Sequence, residues 1–131
     1  MPNKKAAFEN PLDRLKRIAA EMDMLCADQK RAKDALAAAE GELNDLEHEI
    51  ELMELNAIQL RKRAERIRDV RRARRQAKDA LATLDPMMQT FERCGVVKGI
   101  QQAAREAELA EKRNGTRQYY PRVRTGAQAK V

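Results

Sequence analysis

The sequence predicts an all-α protein: a long antiparallel helical hairpin of coiled-coil type, one or two short C-terminal helices, and a flexible basic tail. Three observations lead there. Of 131 residues, 37% are charged and only 3% aromatic, a bias toward Ala, Glu, Lys, Leu and Arg that belongs to long helices rather than to a thick-cored globule. Apolar residues recur at alternating steps of three and four over more than five heptads, the spacing of a coiled-coil seam. Finally, an acidic block precedes a basic one of equal size. Glu40, Glu42, Asp45, Glu47, Glu49, Glu51 and Glu54 give −7 over 40–54. Arg61, Lys62, Arg63, Arg66, Arg68, Arg71, Arg72, Arg74 and Arg75, against Glu65 and Asp69, give +7 over 61–75.

Residues 1–10 are polar and basic and read as a flexible N-terminus. Asn10 is then a helix N-cap, with Pro11 at the first helical position, where its missing N–H costs nothing. The first helix is expected from Pro11 to Glu54, about 65 Å at 1.5 Å per residue. Its a positions are Leu15, Met22, Gln29, Leu36, Leu43 and Ile50, and its d positions Ile18, Leu25, Ala32, Ala39, Leu46 and Met53. Gln29 and Ala32 form a polar, small layer suited to fixing register or partner number. Gly41 lies off the seam and costs about 1 kcal/mol relative to alanine.

The segment Leu55–Leu60 carries a helix start. Asn56 caps, Gln59 at the third helical position completes a capping box, and Leu55 with Leu60 is spaced for a hydrophobic staple. A reversal there lays the acidic arm along the basic arm. The competing topology is one uninterrupted helix running into the eighties and spanning more than about 100 Å, its seam extended through Ala57, Leu60, Ala64 and Ile67, with the charge blocks pairing between chains. The cap, the staple and the charge complementarity favour the hairpin.

The second helix starts at Ala57 and carries Leu60, Ile67, Val70, Ala77, Leu81 and Leu84. Arg63 and Arg74 interrupt the stripe, their stems lying along it with the heads in water. Asp85-Pro86 is expected to end this helix, because proline disfavours a helical residue before it. A short helix would follow, capped by Asp85, presenting Met87, Met88 and Phe91, closed by Cys94-Gly95 and lying near Leu12 to Leu25. A last helix is expected from Gly99 to Asn114, with Ile100, Ala103, Ala104, Ala107 and Leu109 as its stripe and Gly115 ending it. Residues 11–115 thus form the helical domain. The tail 116–131 has no acidic residue and reads as extended or disordered when alone.

No catalytic set emerges, and no metal or cofactor site is predicted. His48 falls on the outer face among glutamates; its i±1 neighbours point apart, and no cysteine joins them. There is no glycine-rich phosphate loop. Cys26 and Cys94 have no metal spacing and no disulfide framework; they read as free buried thiols in a reducing compartment. With no signal peptide and no apolar run long enough for a bilayer, a cytoplasmic protein without membrane contact is expected.

The features left over are binding features. Arg61, Arg66, Arg68, Arg71, Arg72 and Arg75 form either the neutralised half of the hairpin or an outward stripe for DNA or RNA. In the tail, Arg117, Tyr119, Tyr120, Arg122 and Arg124 interleave cations with aromatics, a pattern that grips phosphates and stacks on bases or anchors tyrosines in a protein pocket. Glu47, Glu49 and Glu51 can mimic phosphate spacing if their own hairpin does not neutralise them. A two-helix seam buries little apolar area, so self-association as a homodimer is expected.

The stretch Glu49-Ile50-Glu51 to Leu55-Asn56-Ala57, the later Arg71-Arg72 with Lys78-Asp79-Ala80-Leu81, and the closing Tyr120-Pro121-Arg122 resemble small coiled-coil proteins of bacteriophages and prophages. Proteins of this build include anti-CRISPR inhibitors, and the resemblance implies a mobile-element origin and a host cytoplasmic setting. The leading functional expectation is a non-enzymatic helical protein that binds and inhibits a host nucleic-acid-handling protein or nucleoprotein complex such as a CRISPR nuclease. The alternatives are a nucleic-acid-binding protein and a phage scaffold or assembly protein.

Overall fold

Residues 9–121 are described in the computed structural model of the chain. They form three helices, α1 Pro11–Leu52, α2 Ala57–Cys94 and α3 Val96–Thr116. No strand occurs among the described residues. The Leu12 N–H donates to Asn10 Oδ1 at 2.9 Å; Pro11 sits at the first helical position and Asp13 in the first turn, where a carboxylate favours the positive end of the helix. α1 ends two residues earlier than expected, at Leu52, with Met53 extended.

The chain then reverses, so the topology is the hairpin and not the rod. Both bonds of the capping box form: the Gln59 N–H donates to Asn56 Oδ1 at 2.8 Å and the Asn56 N–H to Gln59 Oε1 at 3.0 Å. The staple is weak, because Leu60 remains 42% exposed.

α1 and α2 pack antiparallel, with Arg63 opposite Glu49, Arg74 opposite Glu40 and Gln29 opposite Asp85. The core is a thin line: Ala39, Leu46 and Val70 are buried together, with Leu43 and Ile67 packed against them. Met22, Ala77 and Leu81 extend this line, and Leu15, Leu25, Leu36 and Leu84 are half-buried along it. Arg63 and Arg74 also lie half-buried in the α2 stripe, their stems covering it as expected. Four expected seam positions face solvent instead: Ile18, Ile50, Met53 and Leu60. Around Ile18, α3 lies against α1: Ala19 shares a cleft with Val97 and Ile100, and Leu12 is buried while Ile18 is not. Ile50 and Met53 sit at the tip, where no further turn of either helix covers them.

Pro86 does not end α2, which runs on to Cys94. Ala77, Leu81, Leu84, Met88 and Phe91 keep the four–three alternation across the proline and stay at least half-buried. Continuing that stripe outweighs the lost N–H. Asp85, expected as a cap, instead accepts a hydrogen bond from Gln29 Nε2 at 2.8 Å, so the polar layer at Gln29 pins the register of the hairpin.

The break comes at Gly95, whose φ of 65° is left-handed and suits glycine. α3 starts at once at Val96, three residues before the expected Gly99, and the Gly99 N–H donates to the Gly95 carbonyl at 2.9 Å. It continues antiparallel along the start of α1: Val97 and Ile100 share a cleft with Ala19 and Met22, and Asn10 Nδ2 donates to Glu111 Oε2 at 3.5 Å. Gly115 lies inside its last turn. Ala104, Ala107 and Ala110 are half-buried, whereas Ala103 and Leu109, expected on the stripe, are exposed.

Candidate functional site

The basic block of α2 divides by partner. Arg63 Nε donates to Glu49 Oε2 at 2.8 Å. Arg66 meets Glu42 with both ends of its guanidinium, Nη2 reaching Oε1 at 2.8 Å. Arg74 lies 3.6 Å from Glu40. The hydrogen bonds from Arg66 hold the Glu42 carboxyl below the ordinary carboxylate range, and Glu42 raises the Arg66 guanidinium in turn. Arg61 turns to Glu65 and Arg68 to Asp69 on their own helix, at 3.4 and 4.0 Å.

Lys62, Arg71, Arg72 and Arg75 have no carboxylate within 4.0 Å among the described residues. Positions 68, 71, 72 and 75 are spaced i, i+3, i+4 and i+7, so they share one face of the helix. With Ala64 and Ile67 they line a shallow groove of 330 Å³. All four arginines are exposed, and their run covers about 10 Å of helix. Planar guanidinium forks in this setting match phosphate and carboxylate oxygens two at a time.

Six arginines of this block were expected to bind. The structure brings Arg68, Arg71, Arg72 and Arg75 together, while Arg66 belongs to the hairpin and Arg61 to Glu65. The groove floor, Ala64 with Ile67, was not read as part of a site, because Ile67 also serves the seam. On the acidic arm, Glu49 is taken by Arg63, which removes it from the expected phosphate-mimicking trio. Glu47 and Glu51, with Asp45 and Glu54, are exposed and have no cationic partner among the described residues.

From Arg117 to Pro121 the described part of the tail is non-helical and exposed. The Arg117 guanidinium lies 6.0 Å from the centre of the Tyr119 ring, and the Tyr120 hydroxyl donates to Gln118 Oε1 at 2.8 Å. Arg122 and Arg124 lie outside the described residues. A second concavity, of 930 Å³, opens where α2 meets α3, with Met88, Phe91 and Val97 among its lining and Lys33 and Gln101 at its polar side. Sequence reasoning missed it because α2 was expected to stop before Met88.

Both cysteines are free and exposed, not buried, since each falls off the thin stripe. His48 is exposed among glutamates. No group of three His, Cys, Asp or Glu among the described residues is placed to hold a metal ion. No described helix is long and apolar enough to cross a membrane. No protein-family model matches the chain, and neither a curated protein nor a solved structure matches it.

Proposed function

We propose that this protein is a non-enzymatic nucleic-acid-binding helical hairpin whose phosphate contacts come from Arg68, Arg71, Arg72 and Arg75. One observation supports the reading above the others: these four guanidiniums share a face that the acidic arm of the same chain leaves unneutralised. Phosphates of one strand recur about every 3.4 Å of duplex axis, so a 10 Å arginine run laid along that axis spans about three of them. Such contacts read backbone charge and carry little sequence preference. Arg117, Tyr119 and Tyr120 add a cation–aromatic segment suited to stacking on unpaired bases.

The test is fluorescence anisotropy of labelled duplex and single-stranded oligonucleotides, titrated with the full chain at low and moderate salt. Affinity that falls steeply with salt, and that is lost when the four arginines become glutamine with helicity intact, supports the reading. Salt-independent binding, or none, contradicts it.

A second reading rests on the opposite charge. Glu47 and Glu51 share a face of α1 by their i, i+4 spacing and are exposed, and Glu54 follows, exposed, in the turn. On this reading the protein, of phage or prophage origin, occupies the basic channel of a host nucleic-acid-handling enzyme and inhibits it. Charge reversal of Glu47 and Glu51 to lysine then abolishes inhibition without altering helix content; unaltered inhibition counts against it.

A further inference from the structure

The hairpin tip leaves a group of large aliphatic side chains uncovered. Leu52 is 77% exposed and Ile58 68%, and Ile50, Met53 and Leu60 are each more than a third exposed. Five exposed large apolar side chains fall within eleven residues, a local concentration at one end of the hairpin, and exposed apolar groups gathered in one place mark an interface more than single ones do.

The charges beside this stretch indicate what covers it. The last turn of α1 contains no base, and the first turn of α2 contains no acid. Glu49 and Glu51 instead sit at the negative C-terminal end of α1, and Arg61, Lys62 and Arg63 follow close on the positive N-terminal end of α2. The acids oppose the helix dipole at the end of α1, and the three bases stand just beyond the first turn of α2. Arg63 and Glu49 satisfy one another across the hairpin. Glu51, Glu54 and Lys62 have no ionic partner among the described residues. The tip therefore offers an apolar centre, spare acid on one arm and spare base on the other. That pattern complements itself under a two-fold rotation, as an isologous interface requires.

We propose that two copies of this chain associate tip to tip about a two-fold axis. Ile50, Leu52, Met53, Ile58 and Leu60 of each copy form the shared apolar centre, and Glu51 and Glu54 of one copy face Lys62 of the other. Each copy then supplies a cation to the end of its partner's α1 and an anion to the start of its partner's α2. A contact confined to the tip is at the small end of the range for specific interfaces, so the dimer exchanges with monomer at micromolar concentration. Arg68–Arg75 lies outside this contact, and the inference stands independently of nucleic-acid binding.

The experiment is sedimentation velocity of the full chain from low to high micromolar concentration, with helicity followed by circular dichroism. The wild type should pass from the 15.0 kDa monomer to twice that mass. Leu52→Glu combined with Ile58→Glu, at the two most exposed tip positions, should stay monomeric with unchanged helicity. Lys62→Glu should weaken the dimer at least tenfold, and adding Glu51→Lys should restore it. A wild type that remains monomeric throughout overturns the proposal and assigns the tip to a different partner. So does a dimer that survives the Leu52→Glu and Ile58→Glu pair.

Discussion

Arg63 Nε donates to Glu49 Oε2 at 2.8 Å, and the two residues are only fourteen positions apart. Everything between them is the end of α1, the turn and the start of α2. That pair closes the tip; Arg66 with Glu42, Arg74 with Glu40, and Gln29 with Asp85 repeat the pairing down the hairpin. Surface pairs of this kind add little stability individually. Their effect is on orientation and register, and the apolar line of Leu46, Val70, Ala77 and Leu81 supplies the burial.

Truncating that line should be costly. Leu46→Ala removes a buried leucine from the central cluster with Ala39 and Val70. We expect a loss of about 2–3 kcal/mol, the low end of the range for such changes because a two-helix seam can collapse into the gap. Urea unfolding of the two proteins gives the number directly, provided the slopes agree.

Asn56→Ala removes the Oδ1 acceptor of the Gln59 N–H, while the backbone N–H at position 56 can still donate to Gln59 Oε1. The expected cost is about 1 kcal/mol, visible as a lower midpoint in thermal unfolding. Asn56→Asp keeps the acceptor and should preserve most of the stability.

Pro86→Ala should stabilise the protein. Pro86 lies inside α2, where proline costs up to about 3 kcal/mol against alanine. A higher thermal midpoint is expected; a fall would mean that the proline shapes α2 for its contact with Gln29.

Acid should loosen the hairpin through Glu42. Its folded carboxyl lies below its ordinary value of 4.5 because of the hydrogen bonds from Arg66. A depressed carboxylate contributes stability that is present above its unfolded value and lost as pH falls through the folded one. The thermal midpoint should therefore drop as pH falls below about 4.5, and Glu42→Gln should flatten that acid limb.

Much of this fold was legible in the residues themselves, because capping and charge matching are local. Asn10-Pro11, the Asn56–Gln59 box and Gly95 each declare a helix end through hydrogen bonds or a left-handed φ, and all three ends are found where those residues stand. Pro86 and Gly99 misled for a common reason. Each carries a local penalty of about 1–3 kcal/mol, and a stripe of packed neighbours several turns long outweighs it. At Ile18 the heptad was traced for one partner helix, whereas α3 also lies against α1 there. In the candidate site, the sequence offered six arginines from Arg61 to Arg75 as either neutralised or outward-facing, without separating Arg68, Arg71, Arg72 and Arg75 from Arg61 and Arg66. Which arginines the acidic arm neutralises depends on the register of the hairpin, and that is set by contacts far apart in sequence such as Gln29 with Asp85.

That division of the arginines is tested most directly by a paired measurement. Arg66→Gln and Arg71→Gln remove the same charge five residues apart on one helix. Thermal midpoint and oligonucleotide affinity would be measured for both beside the wild type. Arg66→Gln should lower the midpoint, most clearly above pH 4.5, and leave affinity nearly unchanged. Arg71→Gln should leave the midpoint in place, weaken binding several-fold and reduce the salt slope by about 0.9 on duplex DNA. Equal effects of the two substitutions on both quantities would contradict the claim that the hairpin uses one arginine internally and presents the other to a ligand.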